Sequence, residues 1–143
     1  MTIEWRQATL ADADFLLKCR NDILTRKASY HTHEITKEEH LSWLHNILNN
    51  PLRTLYIAEE NAQPVGTARA DQSEGITELS WTVAPAFRGK GIGEKMVNAL
   101  SSQISGPISA RIKKDNIISI NIAKSLGMSL FKEENDMLYF IRH

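Results

Sequence analysis

Apolar and polar positions alternate at the start of the chain, with Ile3 and Trp5 on one side, and predict a short strand over residues 3–8. At Thr9 the period changes. Leu10, Ala13, Leu16 and Leu17 recur at helical spacing, and Thr9 is a residue type that caps such a helix, which would run to about residue 20. Residues 21–35 carry few apolar side chains and read as loop or irregular helix. Thr36 followed by Glu39 forms a capping box, and Leu41, Leu44, Ile47 and Leu48 give the helix it opens one apolar side, ended by Asn49, Asn50 and Pro51. Strand-like runs follow at residues 54–59, 65–70 and 76–83. A helical stretch over 94–102, a strand at 108–112, a second helical stretch after Asn116 and a hairpin of 129–134 with 137–141 complete the pattern. The order β-α-α-β-β-β-α-β-α-β-β predicts an α/β sandwich, a mixed sheet of about seven strands flanked by about four helices.

A chain of 143 residues, 42% hydrophobic and 24% charged, suits a single domain over residues 1–143 that forms a core without disulfide or metal. Lys+Arg and Asp+Glu both total 17, so no bulk field draws the protein to nucleic acid or anionic lipid, and basic clusters act locally. No run approaches the ~20 apolar residues that span a bilayer, and the N-terminus shows no signal-peptide pattern, so a cytoplasmic location without membrane contact is expected. The single cysteine, Cys19, shares an apolar helix face with Phe15 and Leu16 and is expected to pack in the core. His31 and His33 have no third partner in view, so no metal site is expected.

The densest chemistry lies in Arg88-Gly89-Lys90-Gly91-Ile92-Gly93, between a strand-like and a helix-like run. A glycine-rich turn there leaves several backbone N–H groups aimed at one spot, and the helix start adds its positive dipole end. Glycines remove the Cβ atoms that would hold a phosphate away and accept φ > 0, while Arg88 and Lys90 supply charge. The spacing fits neither a P-loop nor the dinucleotide fingerprint. Farther on, Asn116 or Asp115 caps a helix whose Ile117, Ile120, Ala123 and Leu126 share a face, with Gly127 at its end.

The run from Trp81 to Gly93, with Val83, Pro85, Phe87 and the Arg-x-x-Gly-x-Gly/Ala pattern, resembles the signature strand, loop and helix of the GNAT superfamily of acetyl-CoA-dependent N-acetyltransferases. The segment from Asn116 through Ser119 to Gly127 and Met128 resembles that family's later helix, and the element order is also that of the GNAT fold. The resemblance implies acetyl-CoA as co-substrate and no metal. It places pantetheine along Trp81 and Val83, the pyrophosphate on amides from Arg88, Gly89, Lys90, Gly91, Ile92 and Gly93, and Asn116 and Ser119 near the pantetheine. Glu78, the one carboxylate in its strand, becomes the candidate general base, one residue from the family's usual position, an offset a β-bulge would absorb. The family's usual Tyr, seven residues after the Asn, is Ala123, which leaves Ser119, Tyr139 or water as proton donor to the leaving sulfur.

Acceptor residues are expected in the first third, where Arg20, Asn21, Tyr30 and His31 precede His40 and Trp43. This pattern resembles a GNAT branch that includes the amino-sugar N-acetyltransferases of pseudaminic-acid-type pathways, which implies a small primary amine, with nucleotide-linked amino sugars among the acceptors. In that reading Arg20 or His31 meets a diphosphate and Tyr30 or Trp43 stacks on a ring. A protein N-terminal or lysine acetyltransferase, or a non-catalytic acyl-CoA sensor, are the alternatives. A monomer or homodimer is expected.

Overall fold

The computed structural model describes residues 2–29 and 32–143. One seven-stranded sheet runs β1 (Ile3–Gln7), β2 (Arg53–Glu60), β3 (Gln63–Ser73), β4 (Ile76–Val83), β5 (Ile108–Lys113), β7 (Met137–Arg142), β6 (Ser129–Glu134) from edge to edge. Every neighbouring pair is antiparallel except β4 and β5. The helices are α1 (Ala13–Asn21), α2 (Ile23–Ala28), α3 (Lys37–Leu48), α4 (Ile92–Ser101) and α5 (Ile117–Ser125). The hairpins turn on residue pairs at positive φ: Asn61 and Ala62, Glu74 and Gly75, and Asn135 and Asp136. Two consecutive left-handed residues give the turn whose twist matches the strands it joins.

The expected α/β architecture is present, with one helix more than the pattern predicts. That helix, α2, has no buried residue, so it shows no apolar periodicity. Asp22 starts it instead, accepting from the N–H of Leu24 and Thr25. Thr9 does cap, but it caps a 3-10 turn at Leu10–Asp12 that leads into α1. Most strands extend one to three residues beyond their apolar runs, because ladder pairing continues through polar positions such as Gln63 and Gln72.

Strand alternation sorts the side chains onto two faces. On one, α4 and α5 cover a core that includes Ala58, Ala68, Leu79, Met96, Ile108, Ala123 and Phe140. Trp5 Nε1 donates to Met96 O at 2.9 Å, tying the edge strand to α4. On the other, α1 and α3 form a smaller core of Ala8, Leu16, Leu44, Ile47, Leu55 and Ile57. Cys19 is buried beside it, and burial pushes its thiol pKa up to about 11, as suits a packing residue.

Candidate active site

β4 and β5 pair only at Thr77 with Ile108 and Glu78 with Ser109. From Ala110 onward β5 pairs with β7 alone, so the two parallel strands part into a wedge. The Thr77 N–H donates to Pro107 O (3.1 Å), toward β5, and the Ala84 N–H donates to Val65 O (2.8 Å), toward β3. Alternation then turns the N–H and C=O of Leu79, Trp81 and Val83 into the wedge. The indole Nε1 of Trp81 is buried with no partner among the described residues, an orphaned donor on the same strand. Trp81 and Val83 were expected along this edge. Leu79 belongs with them, and the same two-residue step points to it.

After β4 the chain makes a 3-10 turn, Pro85–Phe87, and enters the glycine turn. Gly89 (φ 77°) and Gly91 (φ 72°) are left-handed, and a Cβ on either would meet nothing within 4 Å, so both open onto clear space. Gly93 differs from the expectation that it clears a phosphate. It sits in the first turn of α4, where a Cβ would lie 3.1 Å from Ile122 Cδ1 and 3.2 Å from Val83 Cγ2, so its smallness lets α4 approach β4 and α5. The first closed bond here runs from the Lys95 N–H to Gly91 O (3.4 Å). The preceding amides, Gly89 to Glu94, have no backbone acceptor among the described residues. Lys90 is exposed at the turn, its Nζ 5.8 Å from the Phe87 ring.

Arg88 is committed elsewhere. Its Nη1 pairs with Asp22 Oδ2 at 2.7 Å and its Nη2 donates to Thr25 Oγ1 at 3.1 Å, so it is the backbone of Arg88, not its charge, that faces the turn. Burial works to raise the Asp22 pKa, but the Arg88 hydrogen bond and the Thr25 N–H outweigh it and hold the carboxyl below its usual range. At the other end of α2, Lys113 Nζ at the end of β5 donates to Lys27 O (2.7 Å). α2 therefore bridges the open ends of β4 and β5. Neither contact is legible in the sequence, since the partners lie 66 and 86 positions apart.

Of the expected acceptor residues, Tyr30 and His31 lie outside the described residues. Asn21 is corrected in role: its Nδ2 donates to Ile35 O (2.8 Å) and its Oδ1 accepts from the Ile35 N–H (2.7 Å), so it clips the two ends of the 22–34 segment together. Arg20 stacks on Trp43, its Cζ 4.1 Å from the ring centroid, so that face of Trp43 is covered. Arg20 Nη1 donates to His40 Nδ1 (3.0 Å), and His40 Nε2 donates to Ala13 O (2.9 Å). With Arg a donor only, Nδ1 must be the accepting nitrogen, which sets the tautomer. Burial lowers the His40 pKa, consistent with a neutral ring.

The β3–β4 register is unbroken from Gly66 opposite Val83 to Ser73 opposite Ile76, so no bulge shifts Glu78. The register irregularities fall in β2 and β6. Glu78 thus points away from Thr77 and Leu79, onto the face of α1 and α3, and its Oε1 accepts from Arg111 Nη2 (2.8 Å) and Nε (3.0 Å). A cleft of about 350 Å³ opens beside this pair, lined also by Asp71, Ser73, Ile76 and Ser109. A second cleft of about 330 Å³, between Thr2 and Asn98, carries none of these groups. Asn116 Oδ1 accepts from the Ser119 N–H at 3.2 Å and caps α5. Ala123 is fully buried, which seats α5 flat on the sheet. Tyr139 lies on β7 opposite Arg111, one strand beyond the wedge. Among the described residues no three His, Cys, Asp or Glu side chains gather to hold a metal, and no helix is long and apolar enough to cross a membrane.

The fold as a whole recurs in known proteins. A domain from Methanocaldococcus jannaschii is similar over 99% of this chain and 97% of its own, at 26% identity and a TM-score of 0.86. The aminoglycoside acetyltransferase AAC(6')-Ib, solved with paromomycin and acetyl-CoA, covers 99% of this chain and 93% of its own at 18% identity and 0.86. The ribosomal L7/L12 α-N-protein acetyltransferase RimL, solved with coenzyme A, covers 99% and 94% at 16% identity and 0.84. No curated protein sequence matches the chain. The family model of the GNAT acetyltransferase domain matches residues 3–129, from the first strand to the start of β6. The chain belongs to the GNAT acetyltransferases and is an acetyl-CoA-dependent N-acetyltransferase.

Proposed function

We propose that the enzyme acetylates the primary amine of a small acceptor that lies on the open polar face beside Glu78 and reaches the β4–β5 wedge. The observation that carries this reading is the wedge itself. The backbone groups of Leu79, Trp81 and Val83 meet no strand there, and they lead straight to the free amides of Gly89 to Gly93. An extended amide chain satisfies the strand edge by β-augmentation, and a diphosphate suits the turn, where Gly89 and Gly91 leave room for it and Lys90 adds charge. The orphaned Trp81 N–H also calls for an acceptor atom. These residues fit a CoA ester, with Asn116 and Ser119 at the start of α5 holding its pantetheine end. When bound, acetyl-CoA supplies an activated acyl group.

The protein's own part is to bind, orient and move protons. Amides on the wedge edge are fixed dipoles that favour negative charge developing on an acyl oxygen. Glu78 is the base of this reading, taking the amine proton through water in the adjoining cleft, with Arg111 fixing the carboxylate. With Ala123 where the family resemblance expects a phenol, Ser119 or water protonates the departing thiolate. Positioning of the two substrates supplies several kcal/mol of barrier lowering. Nucleotide-linked amino sugars are among the acceptors of this reading.

The test is thiol release from acetyl-CoA against a panel of amino-sugar nucleotides, simple amines and peptides. Turnover of small amines, falling most at low pH in Glu78→Gln, supports the reading. Turnover of peptides alone would replace it with a protein acetyltransferase, and tight CoA binding without turnover on any amine with an acyl-CoA sensor.

A further inference from the structure

The most unusual cation on the open face is Arg20. Its guanidinium is partly buried, stacked on Trp43, and held by the neutral His40 ring. Among the described residues no carboxylate lies within ion-pair distance of it; Glu39, on the nearest helix, is occupied with the Thr36 hydroxyl at 3.1 Å. Burial and the charge of Arg69 push the Arg20 pKa down, with Glu39 opposing from beyond ion-pair distance, so its positive charge has no close counter-ion where it stands. Arg69 projects from β3 onto the same face, opposite Ser80 of β4. Its Nε donates to Asp71 Oδ2 at 3.1 Å, and its two terminal nitrogens have no acceptor among the described residues. Asp71 is shared with Arg53 at 3.8 Å, so one carboxylate serves two arginines here while Arg20 has none within ion-pair distance among the described residues.

A desolvated guanidinium with spare donors, locked in orientation by a ring below and an imidazole beside it, is a receptor for planar or tetrahedral oxyanions. We propose that the acceptor amine carries an anionic oxygen group, a carboxylate or a phosphate, which sits between Arg20 and Arg69. β3 is one strand from β4, and the wedge begins at the far edge of β4. The amine and the anion are therefore about 5–10 Å apart, one to two strand spacings. This inference rests on the acetyl-transfer reading above, and names its substrate class.

The experiment compares wild type, Arg20→Gln and Arg69→Gln on two matched pairs: glucosamine 6-phosphate with glucosamine, and lysine with lysinamide. Wild type is expected to favour the anionic member of at least one pair by roughly tenfold or more in kcat/KM. Both variants are expected to erase that preference, the loss falling mainly on the anionic member. The pair that shows the preference identifies phosphate or carboxylate. Equal rates for both members in wild type, or an equal loss on both members in Arg20→Gln, would overturn the proposal and leave Arg20 a packing residue. If CoA binds but no amine is turned over, the transfer reading fails separately. The anion site is then decided by calorimetry on CoA-saturated protein: heat from glucosamine 6-phosphate, none from glucosamine, and loss of that heat in Arg20→Gln support it, and equal signals overturn it.

Discussion

Under α4 and α5 the sheet is sealed from β2 to β7 by one continuous apolar core, whereas under α1 and α3 burial ends at β2. Past that line the same face carries Thr67, Arg69, Asp71, Glu78, Ser80, Ser109 and Arg111. The difference shows how one sheet serves two purposes. The sealed face supplies stability that does not depend on ligands, and the open face keeps charges and unpaired backbone in place because the opposite side already holds the strands.

Mutations at matched depth break this comparison most sharply. Phe140 is 1% exposed at the centre of the sealed core. Phe140→Ala is expected to cost about 3–5 kcal/mol by removing buried surface and leaving a cavity. Ser80→Ala, on the open face of β4, is expected to change stability by about 0.5 kcal/mol or less. Urea midpoints of the two variants check both. Equal losses would mean that the open face is a second core.

The glycine turn should respond in the opposite way, losing ligand rather than fold. Gly89→Ala with Gly91→Ala places two L-residues at left-handed φ, each strained by roughly 1–2 kcal/mol, in a turn with no packed neighbour to hold it. The turn relaxes and its amides lose their common aim. The apparent Kd for acetyl-CoA is expected to rise about tenfold or more, with the urea midpoint shifting far less than in Phe140→Ala. Gly93→Ala is the internal control, because its Cβ meets Ile122 and Val83: it should lower stability as well as affinity.

What could be read along the chain divides along the same line. Positions coded by residue type in one short window were legible. The glycine turn, the Asn135-Asp136 hairpin and the period-two strands fall in that group. The wedge edge was legible through Trp81 and Val83. Features made by distant partners were not. α2 exists because Asp22 caps it and Arg88, far along the chain, grips that cap, yet its Ile23 and Leu24 remain exposed. Asn21 was expected at the acceptor site because it belongs to the pattern of the family branch, but its amide hydrogen-bonds both the N–H and the C=O of Ile35. Glu78 was found by type alone, and its direction became clear only from an unbroken β3–β4 register.

A smaller effect is expected where the two regions meet. Asp22 joins the bridge α2 to the turn through Arg88, and Asp22→Asn keeps a capping oxygen while removing the charge. The Arg88 guanidinium is then held by a neutral partner, and the turn gains freedom without losing any of its amides. Calorimetry is expected to show acetyl-CoA binding weakened by roughly two- to fivefold, below the effect of the double glycine variant. An unchanged Kd would show that α2 spans the wedge without bracing the turn.

The smallest expected effect is a slope in stability with pH, confined to the corner where the α1–α3 core gives way to the open face. His40 is fully buried, accepts from Arg20 and donates to Ala13 O. Burial holds its pKa below the ordinary 6.5, with the Ala13 carbonyl opposing and Arg20 adding to the fall. A group with a depressed folded pKa binds its proton more readily when unfolded. Its stabilising contribution is therefore complete above about pH 6.5 and declines as pH falls toward the folded value. Protonation would also remove the lone pair that accepts from Arg20 and set two cations 3.0 Å apart. Asp12, held below its ordinary 3.8 chiefly by its hydrogen bond with Arg6, loses its contribution only below that pH, so the two windows separate. Urea midpoints of wild type should fall between pH 7 and 5. His40→Gln, which does not titrate, should be flat over the same range. A wild-type curve as flat as the variant's would mean that the imidazole titrates alike in the folded and unfolded chain, and stability that rises toward pH 5 would mean that it carries its proton when folded, so that the tautomer that orients Arg20 would have to be abandoned.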